Sequence, residues 1–256
     1  NKQNMQNKIA IITGGSRGLG KEMAFALAKN GNDVIITYNK NENLAKQVVE
    51  EINRLGQKAA ALPFNAENFS SLSSFIERVK QTLKQTFQQE QFHFLVNNAG
   101  IGATIPIQQA TEQDFDRFLN VHFKSIYFLT QGLLPVMAEG GSIINISTGT
   151  TRFCVPGYSI YSSMKSAIET FTKYVAKEYG QKGIRANVVA PGPVETDFNE
   201  AAIRNSPQMK SFLSSLSPLN RVGYSDDIGG VVAFLCSDQA RWINGQRIEV
   251  SGGINL

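Results

Sequence analysis

Between residues 9 and 250, short runs rich in β-branched residues take turns with longer amphipathic stretches. Ile9 to Thr13 reads as a strand, Gly14 to Gly20 as a glycine-rich turn, and Lys21 to Asn30 as a helix that Gly31 stops. Val34 to Tyr38 is a second strand, and Asn43 to Leu55 a second helix closed by Gly56. Ala59 to Pro63, Phe94 to Asn97, Ser142 to Ser147, Ile184 to Ala190 and Arg247 to Val250 continue the strands. Phe69 to Thr86, Thr111 to Ala138, Tyr158 to Gly180 and Asp226 to Ser237 continue the helices. Thr111 and Asp114 are spaced for a capping box, and Pro135 bends or ends the helix it sits in. Residues 194–222 have no clean period and read as a mobile insertion.

This rhythm predicts an α/β fold: a doubly wound parallel sheet of about seven strands with helices on both faces. No linker or repeat divides residues 1–256, so one domain is expected. Its polar first seven residues read as a flexible N-terminus; Asn1 cannot be an initiator, which makes Met5 the candidate native start. Right-handed crossovers place all strand C-termini on one edge, where ligands bind. The loops at 14–20, 97–100, 147–151 and 191–196 all follow strands and should converge there.

Composition excludes several classes. Two cysteines, Cys154 and Cys236, and two histidines, His93 and His122, cannot make a disulfide scaffold or a four-cysteine zinc site. No stretch reaches the roughly 20 apolar residues of a membrane helix, and the N-terminus lacks a signal-peptide core, so a cytoplasmic protein is expected. The net charge of +4 is dispersed, which argues for a mildly basic surface rather than nucleic-acid binding.

Thr13 to Gly20 contains Gly14, Gly18 and Gly20 between a strand and a helix. Such a turn lets backbone approach a pyrophosphate while the helix N-terminus offers free N–H groups, a Rossmann-type arrangement. The spacing Gly-x-x-x-Gly-x-Gly differs from the usual Gly-x-Gly-x-x-Gly, and a ligand-free turn is the alternative. At an NAD site an acid at the end of the second strand binds the ribose 2′-hydroxyl. Here Tyr38-Asn39-Lys40 carries none, which permits NADP, with Arg17 and Lys40 as the cations for its phosphate.

Tyr161 and Lys165 lie four apart on a helix and share a face. A phenol titrates near about 10, and a neighbouring ammonium lowers that value, so the pair can serve as an acid/base unit. Alone, Tyr-x-x-x-Lys is common and two surface residues would explain it.

The glycine loop, Asn97-Asn98-Ala99-Gly100, the hydroxyls before Tyr161, Tyr161-x-x-x-Lys165 and Pro191-Gly192 occur together in this order. The chain resembles the short-chain dehydrogenase/reductase family from about Lys8 to Gly253. The resemblance implies NADP(H)- or NAD(H)-dependent interconversion of a carbonyl and an alcohol by hydride transfer, with Tyr161 as the acid/base. Lys165 would lower its pKa and bind the nicotinamide ribose. The family's catalytic serine falls at Thr148, with Ser147 beside it as the other candidate. Cofactor contacts carry over to Gly14, Ser16, Arg17, Gly18, Leu19, Gly20, Asn39 and Lys40. Asn97, Ala99 and Gly100 would border the adenosine ribose, and Pro191, Gly192, Val194 and Thr196 would hold the nicotinamide carboxamide. Asn65 and Ala66 replace the usual Asp-Val at the adenine.

The family's catalytic asparagine aligns with His122, or with Asn120 in a rival alignment. His122 can relay protons, since imidazole donates and accepts, or it can be a buried structural residue. The substrate is a small carbonyl or alcohol; 3-oxoacyl-carrier-protein reduction is one reading, and sugar, steroid or xenobiotic ketones are others. Phe198, Ile203, Met209, Phe212 and Leu213 are candidate pocket walls. A cofactor-binding sensor without turnover is the competing function, prompted by His122 and Thr148. Family members form tetramers, so a homotetramer or dimer is implied, with Trp242 and the Arg247 to Leu256 tail suited to the contacts.

Overall fold

The computed structural model describes residues 7–256 and, within them, all side chains except those at positions 199 and 200. Seven strands form one parallel sheet: β1 Ile9–Ile12, β2 Asp33–Tyr38, β3 Ala59–Pro63, β4 Phe92–Asn97, β5 Met137–Ile146, β6 Arg185–Pro191 and β7 Arg247–Val250. Their order is β3-β2-β1-β4-β5-β6-β7. The order reverses between β1 and β4, the place where such sheets open a crevice at their C-terminal edge.

Residue alternation along β1 feeds two cores. Ala10 and Ile12 join one apolar cluster, and Ile9 and Ile11 join the other. The first is covered by α1 (Gly18–Lys29), α2 (Glu42–Arg54) and α9 (Ser225–Leu235). The second is covered by α3 (Leu72–Thr82), α5 (Ser125–Leu133) and α6 (Ser159–Tyr179). Each fully buried Ile, Leu or Phe contributes about 1.5–3 kcal/mol, so the double-sided sheet is the source of the stability. Among the described residues no helix is long and apolar enough to cross a membrane.

The helix expected from Thr111 to Ala138 is broken. The capping box forms, with Thr111 Oγ1 accepting from the Asp114 N–H at 3.1 Å and Asp114 accepting from the Thr111 N–H at 3.1 Å. α4 (Glu112–Leu119) then passes through a π-helical turn at Asn120–Lys124 into α5. A 3₁₀ turn containing Pro135 ends the segment, and β5 starts at Met137, five residues earlier than expected. A register shift at Phe92/Phe94 accommodates the extra residues.

Residues 194–222 are not an aperiodic insertion. They fold into α7 (Phe198–Asn205) and α8 (Pro207–Ser215), the second capped by Ser206 Oγ accepting from the Met209 N–H. Their short lengths hid the helical period. Of the N-terminus expected to be flexible, residues 1–6 lie outside the described residues. Asn7 is tethered, its amide donating to Asp33 and Gln57.

Candidate active site

The loop after β1 is stitched to the loop after β4. Thr13 Oγ1 accepts from the N–H groups of Asn98 (2.9 Å) and Ala99 (3.0 Å). The Asn98 amide in turn donates to the carbonyls of Thr13 (2.9 Å) and Gly14 (3.2 Å). Gly20 has no alternative here, since a Cβ on it would lie 2.1 Å from the Gly14 carbonyl oxygen. Gly18 turns with φ +54 to start α1. Arg17 at the N-cap provides no side-chain cap, and the first turn holds no acid. The helix end therefore keeps N–H groups and partial positive charge for an anion.

Arg17 at the α1 N-cap and Asn39 and Lys40 just after β2 are exposed, and among the described residues neither cation is in an ion pair, whereas Lys21 is tied to Glu51. Ser16 is half-buried and Leu19 packs on the first core. Thr196 faces Gly18 from the loop after β6, its Cβ 3.8 Å from where a Gly18 Cβ would stand. Pro191 ends β6, the Gly192 N–H donates to the Val250 carbonyl, and Val194 bridges to Gly223. Uncapped N–H groups, two unpaired cations and no carboxylate fit a phosphorylated dinucleotide.

Three of the expected cofactor contacts have side chains engaged within the protein. The Asn97 side chain is 1% exposed, at the end of β4, and donates to Asn145 Oδ1 (2.8 Å) and Thr130 Oγ1 (3.3 Å). Its place in the strand turns the side chain inward, and Asn98, one residue on, makes the loop contacts instead. Asn65 uses its carbonyl oxygen to accept from the Glu67 N–H (3.0 Å). Ala66 packs its methyl group on the second core, leaving backbone for any ligand contact.

Ala99 and Gly100 lead to the catalytic candidates. A Cβ on Gly100 would lie 3.0 Å from His122 Cε1. His122 sits on the π-helical turn, a distortion common at functional sites. Its ring is fully buried and meets the Tyr161 ring edge-on with centroids 5.0 Å apart. His122 Nε2 pairs with the Ile101 carbonyl at 2.8 Å, while Nδ1 is buried without a partner. Burial, then the Lys165 ammonium, push its pKa well below the usual value, against the Ile101 carbonyl. His122 is therefore neutral at pH 7.

Tyr161 and Lys165 lie in the first two turns of α6. The partly buried Tyr161 hydroxyl is pushed above its ordinary pKa by burial, opposed by a hydrogen bond with Thr148. Lys165 is 2% exposed and burial pulls its pKa down to about 8. Its Nζ donates to the Ile146 carbonyl at 2.7 Å and stands 5.7 Å from the Tyr161 ring centroid. The expected lowering of the tyrosine by the lysine thus gives way to burial in this conformation, where the ammonium is directed at backbone.

Thr148, not Ser147, is the hydroxyl that meets Tyr161. Ser147 donates to Glu169 Oε1 at 2.6 Å on the other side of the loop. The same Glu169 oxygen accepts from Thr151 (2.7 Å) and Arg247 Nε (2.9 Å). Arg247 also donates to the Thr148 carbonyl, and Arg152 ties the loop to Glu249 and to the carbonyls of Ile254 and Asn255. Thr13, Asn98, Glu169 and Arg247 were not singled out from the sequence. The spacing Tyr161, Lys165, Glu169, one helical face, was the available signal for one of them. Among the described residues no group of His, Cys, Asp or Glu is placed to hold a metal ion.

Residues 14–255 match a family model described as enoyl-(acyl carrier protein) reductase. An uncharacterized oxidoreductase of Methylorubrum extorquens is 36% identical over 250 residues, covering 98% of both chains. The promiscuous reductase LugOII, which catalyses keto-reduction at C1 during lugdunomycin biosynthesis, superposes with TM-score 0.92 at 34% identity, covering 98% of both chains. The angucycline C-6 ketoreductase LanV, solved with bound NADP, superposes with TM-score 0.91 at 34% identity, covering 96% of this chain and 95% of its own.

Proposed function

This chain belongs to the short-chain dehydrogenase/reductase family of carbonyl/alcohol oxidoreductases, and on that premise we propose that it is an NADP(H)-dependent ketoreductase with Tyr161 as its acid/base. The observation that carries the reading is Tyr161 set between the buried Lys165 ammonium, 5.7 Å from its ring, and the His122 ring at 5.0 Å, with Thr148 acting on its hydroxyl. LanV was solved with NADP, and the two unpaired cations Arg17 and Lys40 suit the extra phosphate.

The reduced nicotinamide supplies the hydride when bound. Arg17, Ser16, Gly18, Leu19 and the α1 N–H groups would hold phosphate, Asn39 and Lys40 the 2′-phosphate end, and Pro191 to Thr196 the nicotinamide end. Tyr161, whose raised pKa keeps it protonated, gives its proton to the substrate carbonyl oxygen. Thr148 gives its one hydroxyl hydrogen to that same oxygen. Lys165, still mostly cationic below its pKa of about 8, stabilises the phenolate left behind. Neutral His122 offers Nδ1 to the proton path that restores it.

The Tyr158 and Phe198 rings stand 6.1 and 6.2 Å from the Tyr161 ring, with Met209 and Phe212 exposed on α8. Such walls suit a flat ring ketone, in keeping with the angucycline ketone of LanV. Reduction of a 3-oxoacyl thioester on a carrier protein is the second reading; the description of the matching family model shares the acyl carrier protein with it but names an enoyl group, not a ketone. We also assign the protein to the cytoplasm, as a homotetramer or dimer, with exposed Tyr127, Phe128 and Tyr174 available for subunit contacts.

NADPH oxidation with a bicyclic aromatic ketone and with an acetoacetyl thioester tests this. We expect turnover of the ring ketone and a loss of roughly 10²–10⁴ in kcat for Tyr161→Phe, with NADPH binding retained. Full activity in Tyr161→Phe would overturn the assignment; thioester preference would select the second reading. NADPH binding without turnover of either class would revive the sensor.

A further inference from the structure

Four hydroxyls lie in series at the centre of the site. Thr148 acts on the Tyr161 hydroxyl, lowering its pKa against burial; Thr148 Oγ1 is 3.2 Å from Thr150 Oγ1; Thr150 Oγ1 is 2.7 Å from Ser162 Oγ. Tyr161 and Ser162 are neighbours on α6, so the series closes into a ring through the helix backbone. Thr148 Oγ1 also accepts from the Thr150 N–H at 3.3 Å.

Either oxygen can be the donor in both links, so the ring has two possible directions, and they differ in what Thr148 offers Tyr161. A hydroxyl has one hydrogen and two acceptor sites. If Ser162 donates to Thr150 and Thr150 to Thr148, both acceptor sites of Thr148 are filled, one by the Thr150 hydroxyl and one by its N–H. The single hydrogen of Thr148 must then point to Tyr161 and to whatever oxygen lies beside it. The reverse polarity would leave Thr148 donating to Thr150 and facing Tyr161 as an acceptor. That would stabilise the phenol rather than the phenolate. Threonine's branched Cβ limits the rotamers from which it can correct itself.

We propose that Thr150 and Ser162 are positioning residues that orient the Thr148 hydroxyl as a donor toward the reacting oxygens. The inference rests on the assignment of Tyr161 and Thr148 given above. It makes a pair of side chains outside the catalytic set responsible for the polarity of the catalytic hydrogen bond.

Thr150→Val keeps the shape and removes the hydroxyl; Thr150→Ser keeps the hydroxyl and removes the methyl group. We expect Thr150→Val to lower kcat about 10- to 100-fold, the effect of losing one oriented hydrogen bond in the reacting complex. KM for the ketone should change less than threefold and the NADPH dissociation constant, read by fluorescence, less than twofold. In the alcohol-oxidation direction the ascending limb of kcat, which follows formation of the phenolate, should move to higher pH, because a misdirected Thr148 no longer favours the phenolate. Thr150→Ser should recover at least a third of the wild-type kcat, and Ser162→Ala should fall between the two. An unmoved pH limb in Thr150→Val, or no rescue by Thr150→Ser, overturns the inference. If Tyr161→Phe is itself active, the underlying assignment has failed instead. Thermal midpoints within a few degrees of wild type identify variants that fold; should Thr150→Val fail this, Ser162→Ala carries the same pH test.

Discussion

Ser147 and Thr148 are adjacent, yet their hydroxyls face opposite sides of one loop: Ser147 donates to Glu169 and Thr148 meets Tyr161. The first helps anchor the loop to α6, and the second is placed to touch substrate. Thr148→Ala should therefore lower kcat roughly 10²-fold with modest loss of stability, in line with removal of one oriented donor. Ser147→Ala should lower the unfolding midpoint and leave kcat within about threefold. Urea titration with steady-state kinetics on both variants separates these effects, and the opposite pattern would make Ser147 the active hydroxyl.

Arg17 and Lys40 are the cations at the α1 end that lack an acidic partner. Each charge-assisted contact to a phosphate is worth about 1.5–3 kcal/mol. Arg17→Ala and Lys40→Ala should each weaken NADPH binding by about 10-fold or more, with NADH binding much less affected by the residue that meets the 2′-phosphate. Calorimetric titration of both cofactors reads this directly. Equal losses for the two cofactors in both variants would place neither cation at that phosphate.

Burial holds the His122 pKa well below the ordinary value of 6.5. Below about pH 6.5 the unfolded chain takes up a proton that the folded one refuses, so stability is lost as pH falls. His122→Asn removes this component, and its urea midpoint should drop less than wild type between pH 7.5 and pH 5.5, where the numbers are roughly one unit either side of the free imidazole value. If the ring relays protons, the pH profile of kcat should change as well; an unchanged profile leaves it a packing residue.

Glu249 is held down to about 2, above all by its hydrogen bond with Arg152. The stability it contributes is complete above the ordinary value of 4.5 and disappears as pH falls through about 2. Glu249→Gln should be less stable than wild type at neutral pH, and the difference should shrink steadily below pH 4.5. Chemical unfolding across that range checks the convergence. A constant difference would mean that shape, not charge, accounts for the loss.

The two thiols should separate cleanly. Cys154 is exposed, whereas Cys236 is buried and its thiol is pushed up to about 12. A disulfide reagent at pH 8 should modify one cysteine in the native protein and both in denaturant, with mass spectrometry locating the first at Cys154. Rapid native modification of Cys236 would show α9 opening from the sheet.

The strand–helix alternation, the glycine turn and the Thr111–Asp114 box were legible because each is a local pattern. The seven-strand parallel sheet follows from them. The π-helical turn at Asn120–Lys124 was not legible: Asn120 to Lys124 has no breaker, and the turn becomes visible only with His122 packed between Gly100 and Tyr161. The early start of β5 was not legible because the residues between Met137 and Ser142 fall in a register shift, Gly140 turning there with φ +73, and only the pairing of Met137 with Phe92 extends the strand back. Within the site, motif order located Tyr161, Lys165 and Thr148. It did not locate Glu169, whose three partners come from segments up to 78 residues away. It also ranked Asn97 above Asn98 at the crevice, because the inward or outward sense of the last strand residue is set by neighbouring strands.

Asn97 and Asn145 face each other in register between β4 and β5, and Asn145 passes the contact on to Thr172 of α6. Sliding one strand by a single residue would bring each carboxamide against hydrocarbon, at roughly 1–3 kcal/mol for every orphaned group. The paired amides therefore favour the observed register of β4 against β5, and through Thr172 they tie that register to the helix bearing the reactive tyrosine.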